Sequence, residues 1–561
     1  MNERASNRRI RLLLGLFALV FAGTLGRAVW LQGIQASTLE GIAARQQEHT
    51  TVIPAGRGTI YDRTGEPLAI GEQATTVYAD PRLVKDPRKV ALAAAQAFGL
   101  DAEKLYPQLA DRTRHFVYVK RKADPAKAAA LEQRHLAGLG YYSEELRYYP
   151  QRGVAAHLLG FAGVDNDGLE GLERSLDKQL LGKPGSQTTV SDPAGRVIDV
   201  ISTKPEQAGD DVFLTIDHNI QANAESVLRE TVKRWGAKAG NAIVLDPRTG
   251  AVLAMAVAPG YDANRFSTAS ADRRRNRSVT DVYEPGSTFK VVTVAAALSE
   301  KLVTPSTQFT LASSIRVADR IIHEHEPRAT ERMTVAQILS RSSNIGTVTL
   351  ALQLGRSRLQ NWIDRFGFGR PTGVDAPGES QGLLPSYWSG STIGNVPIGQ
   401  GIGVTPIQMA AAYAAIANGG IHRTPYIVER VGTDWRSHDR GTRVISKTVS
   451  AQMMAMLRDV VSAEGGTGAL AAVPGYTVAG KTGTAAKPER GGYSDTRYVA
   501  SFVGVVPAKN PRLVVLVSID EPHGAIWGGV VAAPAFSEIA RSSLVQLEIP
   551  PDAAPEAAAT R

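Results

Sequence analysis

Ser287 stands three residues before Lys290 in the stretch Tyr283-Glu284-Pro285-Gly286-Ser287-Thr288-Phe289-Lys290, directly ahead of the apolar run Val291 to Leu298. Pro-Gly closes an extended segment and the apolar run reads as a buried helix. The spacing therefore predicts Ser287 at a helix N-terminus with Lys290 on the same face. A serine hydroxyl is a poor nucleophile at neutral pH and needs a base beside it, and a lysine stripped of water near another cation can shed its proton and serve. The helix N-terminus adds N–H donors and a positive dipole for a developing oxyanion. The chemistry this suggests is acyl transfer through a serine ester. The pattern by itself is weak, because Ser175-Leu176-Asp177-Lys178 matches it too.

What separates the two serines is company further along the chain. Ser342-Ser343-Asn344 falls in a polar break between helical stretches and supplies a hydroxyl and an amide suited to proton relay and substrate orientation. Lys481-Thr482-Gly483-Thr484 lies inside a predicted strand. There Gly483 permits close backbone approach, and the lysine with the threonine hydroxyls can bind a carboxylate. Taken singly, each reads equally well as a loop serine, a solvated lysine or a turn glycine.

The elements that must position these residues follow from local patterns. Val212 to Ile216 reads as a strand and Ile220 to Trp235 as an amphipathic helix. Residues 242–245 and 252–255 read as a hairpin across Pro247-Arg248-Thr249-Gly250. A mostly helical middle is expected from Ser287 to about Asn418, strands return at 476–485, 500–506 and 513–519, and a last helix covers 535–547. Strands at both ends with helices between them point to one antiparallel sheet sandwiched by helices. Ahead of Lys204 to Asp210, a polar boundary rich in turn-formers, two dense stretches stand out. One is Arg57-Gly58 to Arg63-Thr64-Gly65, where Gly65 fits a tight turn between short strands. The other runs from Arg147 through His157 and Gly160 to Gly171-Leu172-Glu173, and between the two lie Ala-rich, helix-forming residues 86–139.

The chain of 561 residues is 43% hydrophobic and carries a formal charge of +9, enough for two or three cores and too little basic clustering for nucleic-acid binding. It has no cysteine, which excludes disulfides, thiolate metal sites and a cysteine nucleophile. Arg4, Arg8, Arg9 and Arg11 precede an uncharged run from Leu12 to Gly26, and apolar character resumes through Leu31. Twenty helical residues reach about 30 Å, the thickness of a bilayer core. Arginines before the run place the N-terminus in the cytoplasm and the rest of the chain outside. A cleaved signal peptide is disfavoured because no Ala-x-Ala site follows. The Ala/Pro-rich residues after Pro550 read as disordered.

Together, Ser287-x-x-Lys290, Ser342-x-Asn344 and Lys481-Thr482-Gly483 form the motif set of the penicillin-interacting serine enzymes. Over nearly its whole length the chain resembles a class B penicillin-binding protein, the monofunctional transpeptidases. The Arg57 to Arg63 and Arg147 to Glu173 stretches look like that family's N-terminal pedestal, and Asn276-Arg277, Gly399-Gln400-Gly401 and Thr405-Pro406 are similar to family landmarks. The resemblance implies a cytoplasmic tail (1–11), a transmembrane anchor (12–32) and an α+β pedestal, or dimerisation, domain (46–205). It then implies a serine β-lactamase-like α/β sandwich (211–548) and a disordered tail (549–561). It implies acyl transfer from a D-alanyl-D-alanine stem peptide without a cofactor or metal. Ser287 attacks, Lys290 accepts its proton, Ser342 relays a proton to the departing D-alanine, and Asn344 orients Lys290 and the substrate amide. The N–H groups of Ser287 and Thr484 form the oxyanion hole, while Lys481, Thr482 and Thr484 hold the terminal carboxylate beside Gly483. An amine of a neighbouring stem peptide then closes the crosslink.

A β-lactamase is disfavoured because no Glu-x-x-Leu-Asn pattern follows Asn344, and a bifunctional class A protein because about twenty-five residues between anchor and Arg57 leave no room for a glycosyltransferase. The compact run from His157 to Glu173 looks like the division-specific, FtsI-type form, with the elongation-specific form as the alternative. The absence of extra domains after Leu547 resembles the Gram-negative form. A non-catalytic division scaffold or β-lactam sensor is a further alternative, disfavoured by the intact motifs and by the eleven residues ahead of the span. The expected partners are stem peptides and lipid-linked nascent glycan, an FtsW-type membrane glycosyltransferase with other divisome proteins, and β-lactams as covalent inhibitors. The expected address is the inner membrane at the division septum, with the catalytic domain in the periplasm.

Overall fold

The apolar N-terminal run folds as one helix, Glu3–Val29, which continues as a π-helical segment, Trp30–Ile34. Within residues 7–34 an 18-residue window has a mean hydropathy of 2.0 and is unburied, so the helix is long and apolar enough to cross a membrane. The computed structural model of the chain describes residues 3–35, 48–191, 197–438 and 440–553. The extended stretch expected from Gln46 is thus described from Glu48 onward; Gln46 and Gln47 lie outside the described residues. Two compact units result. The first holds the apolar helix and a three-stranded antiparallel sheet in which Gly185–Ser191 lies between Glu48–Ile53 and Val197–Lys204.

The second unit contains both dense sequence stretches and all the motif residues. Its pedestal part is built on a mixed sheet that runs from Asp434–Trp435 through Val428–Val431, Val212–Leu214, Ile60–Tyr61 and Pro67–Ala79 to Val117–Ala123. Leu139–Tyr148 also pairs with Pro67–Ala79. The sheet therefore joins residues from both sides of the expected boundary at 204–210. Gly65, at φ +89°, makes the tight turn expected of it, although the strand it feeds is thirteen residues long. The Ala-rich stretch forms helices Pro87–Phe98, Ala102–Ala110 and Pro125–Glu132 around one edge strand.

The two dense stretches meet at Glu173, whose side chain is fully buried. Its carboxylate accepts from Arg57 Nε at 2.7 Å and from Arg147 Nε at 2.6 Å, and Tyr149 donates to it at 3.2 Å. Arg57 also donates to Asp177 at 2.7 Å, and Arg147 to the carbonyl of Gly58 at 2.8 Å. A Cβ on Gly171 (φ +63°) would overlap the backbone of Gly160, so the compact turn around this carboxylate needs glycine there. The charges are structural: they lock the chain ends of the pedestal together.

The second part is built on a five-stranded antiparallel sheet made of Ala239–Leu245 (β1), Val252–Ala258 (β2), Ala479–Glu489 (β3), Gly492–Val506 (β4) and Leu513–Asp520 (β5). The spatial order is β2-β1-β5-β4-β3, which leaves β3 at an edge. Both faces are covered, so the strands read as unbroken apolar runs rather than as alternation. Ala242, Val244, Val515 and Val517 pack under helices His218–Arg234 and Ala533–Gln546. Ile243, Leu245, Val503 and Leu516 face the helices on the other side, including Lys290–Ser299 (α1) and Pro406–Ala417.

One expectation needs correction. The middle of the chain is not helical throughout, because residues 308–334 form two small antiparallel pairs, Gln308–Leu311 with Glu331–Thr334 and Ser314–Val317 with Arg320–His323. Short strands of four residues with one buried position in four carry too little periodicity to announce themselves. At the other end, Ile549 is buried and Asp552 accepts from the Thr477 amide at 2.6 Å, so the ordered chain runs past Pro550. Residues 554–561 of the expected disordered tail lie outside the described residues.

Candidate active site

Ser287 lies on a single 3-10 turn, Gly286–Phe289, that leads into α1. Gly286 holds φ +54° and its N–H donates to Gly399 at 3.0 Å, while a Cβ on Gly399 would overlap the Gly286 backbone. The turn is pinned further by Thr288, whose hydroxyl donates to Pro285 at 2.8 Å and whose carbonyl accepts from Tyr413 at 2.9 Å. Its neighbours Gly286, Thr288, Phe289 and Lys290 are buried, whereas Ser287 is partly exposed. The nucleophile candidate is thus presented on a rigid base.

Lys290 is fully buried at the start of α1. Its ammonium nitrogen donates to the Ser342 carbonyl at 2.6 Å, the Asn344 Oδ1 at 2.7 Å and the Ser342 hydroxyl at 3.2 Å. Ser342 sits at φ +60°, a strained setting for a non-glycine residue, between helices Val335–Ser340 and Asn344–Leu354 (α2). Burial pushes Lys290 well below the ordinary lysine range, and the nearby charge of Lys481 pushes the same way. Lys481, also fully buried, is lowered to about 7 by burial. Among the described residues neither lysine has an ion-pair partner, and their contacts are carbonyl, hydroxyl and amide oxygens.

Lys481, Thr482, Gly483 and Thr484 lie on β3 as expected, although the strand starts at Ala479 and runs on to Glu489. Lys481 donates to the Thr482 hydroxyl at 3.2 Å, and that hydroxyl lies 2.8 Å from the hydroxyl of Thr467. Gly483 is where two other segments close in: a Cβ there would meet Thr288 Cγ2 at 2.9 Å and Pro285 O at 3.0 Å. Gly528 packs onto Gly483 from the far side and its N–H donates to the Thr484 hydroxyl at 3.1 Å. Lys290 thus meets Ser342 and Asn344, and β3 closes at Gly483 on the turn that carries Ser287, which together outline the candidate site, while Ser175 lies on a separate short helix, Gly171–Ser175.

Several residues of this cleft escape sequence reasoning. Thr467 and Gly528 reach it from distant loops, and only the Gly528-Gly529 pair carries a hint of close packing. Glu324, buried just after strand Arg320–His323, accepts from the Ser343 hydroxyl and from the Asn344 N–H at 2.7 Å. In sequence it is one acidic residue in a polar run, with nothing local to mark it.

The chain matches the family model described as penicillin binding protein transpeptidase domain over residues 240–541. It matches the penicillin-binding protein dimerisation domain over residues 52–214. It is 36% identical to the peptidoglycan D,D-transpeptidase FtsI of Escherichia coli K12 across 97% of this chain and 93% of that protein. The similarity to the probable peptidoglycan D,D-transpeptidase PenA of Neisseria meningitidis is 33%, across 99% and 96%. A crystal structure of penicillin binding protein 3 from Mycobacterium tuberculosis, complexed with aztreonam, superposes with a TM-score of 0.70 at 30% identity, covering 90% of this chain and 98% of the other. Motif geometry, domain content and full-length similarity agree: the chain belongs to the class B penicillin-binding proteins, the serine acyl-transfer peptidoglycan D,D-transpeptidases.

Proposed function

We propose that the chain crosslinks peptidoglycan stem peptides during septal cell-wall synthesis, through an acyl-enzyme on Ser287, and that β-lactams acylate the same serine. The observation that carries this reading is Lys290: buried, without a carboxylate, and tied to Ser342 and Asn344 beside a partly exposed Ser287. Neutral Lys290 takes the Ser287 proton as the hydroxyl attacks the penultimate carbonyl of the stem peptide. The oxyanion forms against the N–H groups of Ser287 and Thr484, and Ser342 returns a proton to the leaving D-alanine. Asn344 keeps its Oδ1 toward Lys290 and its amide edge toward the substrate. Lys481, Thr482 and Thr484 hold the terminal carboxylate, and the stem peptide adds along the open edge of β3 beside Gly483. An amine from a second stem peptide then takes the acyl group.

In this reading residues 12–32 anchor the chain in the inner membrane, residues 46–205 are the pedestal and 211–548 the transpeptidase domain, which works in the periplasm. The septal assignment, with an FtsW-type glycosyltransferase and other divisome proteins as partners, is favoured by the compact turn from His157 to Glu173 and by similarity to FtsI. Fluorescent penicillin should label the full-length protein and leave Ser287→Ala unlabelled; an unlabelled wild type would sink the reading. Depletion in cells should give filaments with unclosed septa, and round cells would move the role to elongation.

A further inference from the structure

The turn that carries Ser342 and Asn344 is held from outside its own helix. The first N–H groups of a helix have no partner within it. In α2 the N-cap Ser343 accepts from Gly346 at 2.9 Å. The next two donors, the N–H groups of Asn344 and Ile345, both go to the carboxylate of Glu324, at 2.7 and 3.3 Å. Ser343 donates its hydroxyl to the same carboxylate. The Glu324 side chain is 3% exposed and pairs with Arg328 at 2.7 Å, which also meets Glu331 at 3.1 Å. One residue earlier, the His323 carbonyl accepts from Asn344 Nδ2 at 3.0 Å. That bond fixes the amide so that Oδ1, not Nδ2, faces Lys290 at 2.7 Å.

We propose that Glu324 is a positioning residue for acylation: its carboxylate, with the His323 carbonyl beside it, holds the Ser342–Asn344 turn in register with Lys290. The proposal rests on the transpeptidase reading above. The turn needs an external hold because Ser342 occupies the left-handed region and its carbonyl accepts from Lys290. Ser342 and Ser343 keep their N–H bonds to Leu339 and Ile338 at 3.2 and 2.9 Å, but without the Glu324 carboxylate the N–H groups of Asn344 and Ile345 lose their partner and seek water or a different turn. The amide and hydroxyl would swing away from the lysine, and a displacement of about 1 Å at such a group costs on the order of 100-fold in rate.

A merely structural cap would lower stability and leave the chemistry's pH dependence alone. Glu324 differs, because it is one of the charged groups around Lys290. The others are Lys481 from β3 and Arg328, with His325 in the same segment. Removing the Glu324 charge favours neutral Lys290, so the acid limb of the acylation rate moves to lower pH. Removing Arg328 favours the protonated lysine and moves it to higher pH.

The test is stopped-flow acylation of the full chain in detergent by fluorescent penicillin, comparing wild type, Glu324→Gln and Arg328→Gln across pH. Glu324→Gln should acylate 10- to 100-fold more slowly with initial binding changed by less than about threefold, and the two variants should displace the acid limb in opposite directions. Rates within twofold of wild type, or an acid limb that stays put in both variants, would overturn the proposal while leaving the transpeptidase reading intact. If the wild type itself fails to label, the transpeptidase reading falls instead. Should Glu324→Gln not fold, the limb of Arg328→Gln decides: one that fails to rise in pH refutes the electrostatic coupling and with it the proposal.

Discussion

The pedestal and the candidate site bury cations in opposite ways. In the pedestal, Arg57 and Arg147 converge on Glu173 with carboxylate contacts of 2.6 to 2.7 Å, and Arg57 is held above its ordinary value by Glu173 and Asp177 against the cost of burial. At the candidate site, Lys290 and Lys481 are equally buried and, among the described residues, bond to neutral oxygens alone. A guanidinium cannot shed its proton and its planar fork suits carboxylates, so a paired arginine is a rivet. An ammonium without a counter-charge is stripped of water at a cost that deprotonation relieves, so an unpaired lysine is a base in waiting. The contrast shows why the same burial serves architecture in one region and chemistry in the other.

Replacing Lys290 breaks the comparison most sharply. Lys290→Arg keeps the positive charge and removes the ability to lose it, so penicillin acylation should fall by about 10³-fold or more, and the buried charge it cannot shed should also lower the unfolding temperature. Stopped-flow acylation reads this, and activity within tenfold of wild type would mean the base lies elsewhere. The reciprocal change is Glu173→Gln. It leaves Arg147 without a carboxylate and Arg57 with Asp177 alone, and should cost about 3–5 kcal/mol in denaturant unfolding, with the acylation rate of the folded fraction unaltered. An unchanged stability would show that the pedestal arginines find other partners.

The smallest expected effect concerns pH. Lys481 must be protonated to hold a substrate carboxylate, and burial lowers it to about 7. It is charged below that pH and neutral above it. The second-order acylation rate with a carboxylate-bearing penicillin should therefore decline on the alkaline side of about 7, approaching tenfold per pH unit. Lys481→Arg should carry that limb out of the accessible range. An alkaline limb that survives the substitution would assign it to another group.

The candidate motifs were legible in sequence because each is local: a serine and lysine three residues apart, a hydroxyl and amide two apart, and a glycine that lets a strand be approached. Glu324, Thr467 and Gly528 were not legible, because each reaches the site through a fold-back of the chain that leaves no periodic or compositional trace. The same reason hid the small strands of residues 308–334, which are defined by pairing rather than by pattern.

The sequence by itself determined the chemistry available, since residue type and spacing fix which atoms can be nucleophile, base and carboxylate clamp. It also determined that the N-terminal run is apolar over enough residues to span a bilayer. Tertiary structure decided which of two Ser-x-x-Lys pairs is equipped to act, by burying Lys290 against Ser342 and Asn344 and leaving Ser175 in the pedestal. It also decided that, among the described residues, Lys290 and Lys481 contact no carboxylate while Arg57 and Arg147 do. Protonation depends on what surrounds a group in space, and that surrounding is assembled from residues far apart in the chain.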